Sequence, residues 1–201
     1  MRWLTGIKTG CVAAMAWLML GSALYGARFS TVIIDPGHGG RDKGAFWGGV
    51  RESSLNMAVA RDLEALLKKR GIGTVMTRRS DVFVSLGSRV AIANRYRSAV
   101  FVSIHFNASR DTRIRGAETF YWGPSGRVLA TAIQRRLAPR VGTINRGIRR
   151  HGFTVLVGTR CPAVLVECGF ISNPRERGRC ATRWYQQTAA RAIYDGLMAY
   201  R

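Results

Sequence analysis

Two hydrophobic periods alternate along residues 31–201, and their alternation predicts the architecture. Val32 to Asp35, Ile72 to Thr77, Ala99 to Ile104, Ala117 to Trp122, Phe153 to Val157 and Ala163 to Val166 are short, mostly apolar runs. Such runs read as buried strands. Between the first two, Leu55, Val59, Leu63, Leu66 and Leu67 form a stripe with helical spacing. This predicts a helix from about Ser54 to Arg70, with Gly71 where a C-terminal cap belongs. Further helices are predicted over Ser85 to Tyr96, with Ser85 as cap, over Gly126 to Leu137, stopped by Pro139, from Asn173-Pro174, and over Arg183 to Ala199. Strands alternating with helices imply an α/β domain whose largely parallel sheet is covered on both faces.

The 201-residue length suits one domain with a sizeable core. The first 27 residues are of another kind. Arg2 and Lys8 make a positive start, Cys11 to Leu24 is almost wholly apolar, small residues follow, and no acid appears before Asp35. This pattern predicts a signal peptide over residues 1–27 and a mature domain over 28–201. The apolar run is shorter than the roughly 20 residues of a spanning helix. The expected product is therefore exported to the periplasm or the extracellular cell wall, with no membrane span once the leader is removed. No repeat or second, wall-binding domain is expected.

Charge adds a partner class. Thirty-two Lys and Arg against eleven Asp and Glu leave a formal charge of +21, of which the leader carries two. Such a surplus attracts anionic polymers. Nucleic acid is not expected, because no recognition helix or aromatic RNA-binding motif accompanies the scattered arginines, Arg78 and Arg79 among them. Anionic cell-envelope polymers fit an exported protein instead. Three cysteines lie in the mature region, Cys161, Cys168 and Cys180, with no CxxC pair. Export leaves a Cys161–Cys180 bridge open.

Candidate chemistry is concentrated in few residues. His38 follows the first strand in Asp35-Pro36-Gly37-His38-Gly39-Gly40, and His105 ends the third in Ser103-Ile104-His105-Phe106-Asn107. Glu167 follows the last strand, and Glu52 stands just before the first helix. All four collect at the carboxyl edge of the predicted sheet, where open α/β folds bind ligands. Two imidazoles and a carboxylate are a common ligand set for catalytic zinc, which keeps its fourth position for water, and a further carboxylate can then act as base.

Several ordered motifs carry a family resemblance: the Asp35–Gly40 loop, Glu52 with Asn56, Phe83-Val84-Ser85-Leu86 with Arg89 to Asn94, Ser103 to Ala108, Gly116 to Tyr121, and Pro162 to Asn173. Over about residues 31–200 the chain resembles the zinc-dependent N-acetylmuramoyl-L-alanine amidases with a type 3 catalytic domain. The resemblance implies a mixed, mostly parallel sheet flanked by helices. It implies zinc held by His38, Glu52 and His105, with Glu167 as catalytic acid/base. The implied substrate is peptidoglycan, cut between the lactyl carbonyl of N-acetylmuramic acid and L-alanine of the stem peptide. Ligation needs neutral imidazoles, so activity is expected to fall at acid pH. Asp35, Asn56 and Asn107 are expected to support the site. Cys168 replaces the family's usual aliphatic residue, and His151 reads as a surface residue.

Some division-linked members of the family carry an inserted helix that plugs the zinc site. Here only Gly123 to Gly126 separate a strand from the next helix, too few residues to span a cleft. Asp111 to Arg115 and Pro139 to Arg150 are the remaining loops able to form a lid. Two other classes compete with the amidase: a zinc carboxypeptidase or aminopeptidase, whose ligands come in other motifs, and a basic envelope-binding module that has lost its metal site.

Overall fold

The computed structural model describes residues 29–201, so the predicted leader, residues 1–27, lies outside the described residues. Six strands form one sheet: β1 (Thr31–Pro36), β4 (Gly73–Met76), β5 (Ala99–Asn107), β6 (Ala117–Tyr121), β7 (Asn145–Arg150) and β8 (Ala163–Phe170). Their order is β4-β1-β5-β8-β6-β7. All neighbours are parallel except β6 and β8, which run antiparallel. A small hairpin, β2 (Phe46–Trp47) and β3 (Val50–Arg51), stands apart. The helices are α1 (Glu52–Lys69), α2 (Leu86–Ala93), α3 (Gly123–Val141), α4 (Thr154–Val157), α5 (Pro174–Cys180) and α6 (Arg183–Tyr200). The expected fold, a single α/β domain with a mixed, mostly parallel sheet between two helical layers, is the one observed.

The two layers are unequal, and that inequality makes the site. Val32, Ile34, Val102, Ile104, Val164 and Val166 pack with α1, α3 and α6 in one large core. The alternate residues, Ile33, Phe101, Ala163 and Leu165, pack with Ala99, Phe120, Ala93 of α2 and Val155 and Leu156 of α4 in a smaller one. Because strand side chains alternate faces, Asp35, Ser103, His105 and Glu167 continue the row on the thinly covered face. Two short helices cannot cover the whole carboxyl edge of the sheet. A cleft is left there.

Local signals place the elements. The stripe on α1 is buried at Leu55, Val59, Leu63 and Leu67. Gly71 ends that helix with φ +75°, and Gly71 N–H and Ile72 N–H close onto the carbonyls of Lys68 and Leu67. Ser85 caps α2 by accepting from the Ser88 N–H, and Asn173 caps α5 by accepting from the Glu176 N–H. Cys161, Cys168 and Cys180 are all free thiols, so the bridge left open by export does not form here.

Four expectations are corrected. Gly123 to Gly126 is no connection between a strand and a helix, because it forms the first turn of α3. Phe153 to Val157 is not a strand: Thr154–Val157 is the single helical turn α4. A helical turn lets the adjacent Val155 and Leu156 both face the sheet, whereas strand residues would point to opposite sides. Pro139 does not stop α3, which runs on to Val141 and ends at Gly142 with φ +66°. In the last turn proline removes one hydrogen bond without breaking the helix, and the left-handed glycine makes the actual stop. Pro139 to Arg150 is therefore no loop, since it holds the end of α3 and all of β7.

Candidate metal centre and cleft

His38, Glu52 and His105 arrive from three separate elements. His38 leaves β1 with φ +60°, the one non-glycine residue with positive φ among those described. A side chain held in that sparsely populated region needs its surroundings to hold it there, a condition typical of functional loops. Gly37 makes room beside it, since a Cβ at that position would stand 2.2 Å from Cε1 and Nε2 of His105. Glu52 opens α1 directly after the β2–β3 hairpin, whose Gly48 and Gly49 both take positive φ as a tight two-residue turn requires. The Glu52 N–H donates to the Ala45 carbonyl, which fixes where the helix begins.

The three side chains meet at one oxygen. Glu52 Oε1 lies 2.8 Å from His105 Nδ1 and 3.1 Å from His38 Nε2. Its Oε2 accepts from the Ala45 N–H at 2.8 Å. On the far side of His38, Nδ1 lies 2.9 Å from both oxygens of Asp42. Burial raises the pKa of Glu52, but hydrogen bonds from His105 and His38 outweigh it and hold the carboxyl far below the usual range. For His38, burial lowers the pKa while Glu52 and Asp42 raise it, and the net displacement is upward.

One ligand atom from each of the three residues lies within 4.8 Å of the others. Two imidazoles and a buried carboxylate, with a second carboxylate behind one imidazole, are donors suited to zinc. They fit a transition ion better than the all-oxygen sites of calcium or magnesium.

Glu167 stands apart from this trio. It is the cross-strand neighbour of His105 on one side and of Glu118 on the other. Its Oε2 is buried without a hydrogen-bond partner. Burial, with Glu52 and Glu118 adding their charge, pushes its carboxyl well above the ordinary range. Glu167 and the trio line one cavity of about 530 Å³, walled by Phe83, Leu86, Phe153, Val155 and Leu165.

The chain matches known proteins over this same region. A family model described as N-acetylmuramoyl-L-alanine amidase covers residues 32–199. The chain belongs to this family. It is 36% identical over 174 residues to the N-acetylmuramoyl-L-alanine amidase LytC of Bacillus subtilis, a match spanning 85% of the chain and 35% of LytC. Thus the chain spans about a third of that relative's length. The catalytic domain of CwlV, an N-acetylmuramoyl-L-alanine amidase from Bacillus (Paenibacillus) polymyxa var. colistinus, superposes with a TM-score of 0.83 at 36% identity, covering 86% of this chain and 98% of that domain. AmiC2 of Nostoc punctiforme superposes at 0.81 with 37% identity, covering 85% and 96%.

All four expected residues of this amidase-family chain thus face one cleft. Asp35, expected as support, is buried and takes hydrogen bonds from Thr77, Arg89 and Ser103 at 2.6, 2.5 and 2.7 Å. Asn56 donates to the Gly37 carbonyl at 3.1 Å, and Asn107 donates to Glu118 at 3.0 Å. His151 is exposed as expected and stacks on Phe153.

Sequence reasoning missed four members of the site. Asp42 is one, legible only as a carboxylate four residues after His38. Arg78 is one of the scattered basic residues in the sequence, yet it is buried. Its guanidinium donates to the carbonyls of Pro36, Gly37 and Ser53 at 2.8 to 2.9 Å, tying the His38 loop to the start of α1. Arg89, in the motif that opens α2, donates to the Pro36 and His38 carbonyls beside Asp35. Glu118, the fourth, lies beside Glu167.

Proposed function

We propose that the protein is a zinc-dependent peptidoglycan amidase that hydrolyses the bond between the lactyl group of N-acetylmuramic acid and L-alanine of the stem peptide. The observation that carries this reading is the convergence of His38, Glu52 and His105 beside a separate, buried, unpartnered carboxyl at Glu167, in a chain of the amidase family. His38, Glu52 and His105 would hold the metal, with Asp42 fixing the His38 ring through Nδ1. When bound, zinc supplies a lowered water pKa, to about 7, and a polarised amide carbonyl.

The rest falls to the chain itself. Glu167 takes the proton of the attacking water on its carboxylate and returns one to the leaving amine nitrogen. Phe83, Leu86, Phe153 and Leu165 exclude bulk water from the reacting amide, which strengthens every charge interaction inside the cleft. The cleft is open from the start, because α3 begins directly after Trp122 and leaves no inserted segment to occupy it. Residues 1–27 serve as an export leader that delivers residues 28–201 to the periplasm or outer cell wall, a reading supported by their charge and apolar pattern.

The division of roles is tested by metal analysis beside turnover. Glu167→Gln protein is expected to bind zinc with wild-type stoichiometry and turn over at least a hundredfold more slowly, the scale of a lost general base (about 10² to 10⁴). His38→Ala and His105→Ala are expected to lose zinc and activity together. Zinc-free Glu167→Gln protein would show that Glu167 is a ligand and not the base.

A further inference from the structure

Glu118 lies next to Glu167 on the antiparallel neighbour strand, and its side chain gathers two arginines from β7. Its Oε1 accepts from Asn107 at 3.0 Å. Its Oε2 stands 3.2 Å from Arg149 Nε and 3.7 Å from Arg146 Nε. Two guanidinium groups thus share one buried carboxylate and leave a surplus positive charge beside the cleft wall formed by Asn107. Arg146 is half-buried and lies over the Phe170 ring, while the Arg149 side chain is 55% exposed. Glu118 meets Arg149 at Nε, so Nη1 and Nη2 of Arg149 are left without a partner among the described residues. That edge is a two-pronged donor matched to a planar carboxylate. The ion pair with Glu118 holds the Nε end of the group in place, which reduces the ordering required on binding.

Spacing sets what carboxylate it can reach. With sheet order β8-β6-β7, β7 stands two strand spacings, about 10 Å, from the strand of Glu167. In the stem peptide the residue after L-alanine is glutamate linked through its side chain, whose α-carboxyl is either free or capped as a carboxamide. That α-carboxyl lies at most about 7 Å from the scissile nitrogen, two residues of chain. The arginine side chain spans the remainder.

We infer that Arg149, held by Glu118, is a specificity residue that binds the free α-carboxylate of the second stem residue, so that the enzyme prefers the acid over the carboxamide form. This rests on the peptidoglycan-amidase reading. An end-on, partly exposed carboxylate pair is worth the lower end of the range for charged hydrogen bonds, which corresponds to about tenfold in kcat/KM.

The test uses two defined muropeptides, N-acetylmuramoyl-L-alanyl-D-isoglutamate and its isoglutamine counterpart, with zinc-loaded wild type, Arg149→Gln and Arg149→Lys. Wild type is expected to favour the acid about tenfold, and the ratio is expected to fall towards one in Arg149→Gln through loss on the acid substrate. Arg149→Lys keeps the charge without the fork and is expected to fall between them. A wild-type ratio near one, or Arg149→Gln protein that slows equally on both substrates, would overturn the inference while leaving the amidase standing. Failure of the wild type to cleave either muropeptide would overturn the amidase reading and this one together.

Discussion

At the scale of single residues, the proposed ligands and base were legible because His38, His105 and Glu167 end or follow strands at one sheet edge, while Glu52 opens the helix that begins beside it. Their supports were not. Arg78 and Arg79 are adjacent and chemically identical, yet Arg78 is 3% exposed and the Arg79 side chain 59%. No local pattern tells which of two neighbouring arginines will be surrounded by carbonyls, because that depends on the path of Pro36, Gly37 and Ser53. Asp42 escaped for the same reason. Gly37 illustrates how tightly the site is fitted. In Gly37→Ala the new Cβ would occupy the space of the His105 ring. His105 is itself fixed by Glu52, so the ring must leave its ligand position. Zinc affinity is expected to drop by about 10- to 100-fold, the range seen when ligand orientation is lost, with the fold intact by circular dichroism. Unchanged affinity in a competition titration with a chelator would show that the loop yields easily.

At the scale of elements, the apolar strands and the amphipathic helices were read correctly, whereas β7, α4 and the two ends of α3 were not. β7, Asn145-Arg146-Gly147-Ile148-Arg149-Arg150, has no alternation to betray it, being an edge strand paired on one side with β6 and bent at Gly147 with φ +80°. The Phe153 to Val157 run has both the composition and the length of a strand, so only the packing against the sheet decides it. One contact between elements has a measurable pH signature. Glu64 on α1 receives hydrogen bonds from Arg79, just past β4, at 2.7 and 3.1 Å, and an ion pair from Lys68. Chiefly the Arg79 bonds, with Lys68 adding, hold its carboxyl down at about 2 against an ordinary 4.5. The unfolded chain therefore binds more protons than the folded one between these values, and the stabilisation is complete above about pH 4.5 and lost as pH falls through 2. Arg79 and Lys68 are more than half exposed, so solvent screening leaves about 1 kcal/mol. Urea unfolding of Glu64→Gln should show a deficit of about 1 kcal/mol near neutral pH that vanishes near pH 2. A deficit of the same size at both would assign the effect to packing.

At the scale of the whole molecule, a net charge of +21 remains after every acidic side chain is matched by a basic one. If this surface holds the enzyme on anionic envelope polymers, pelleting with purified sacculi should weaken steeply as salt shortens the Debye length from about 30 Å to about 8 Å. Salt-independent pelleting would leave the charge without that role. Composition made this field legible, whereas the cleft was not, since it exists only because two short helices cover less sheet than three long ones. The same unequal cover puts His38, Glu52, His105 and Glu167 in one open space, with no segment in front of them among the described residues. The central claim is that this space hydrolyses the muramoyl–alanine amide with zinc and without a partner. Mass spectrometry of sacculi digested by the purified mature chain tests it in one measurement. With zinc, free L-alanine amino termini and peptide-free glycan strands are expected at once, and a chelator should abolish both. Cleavage within the stem peptide, or products that survive complete removal of metal, would contradict it.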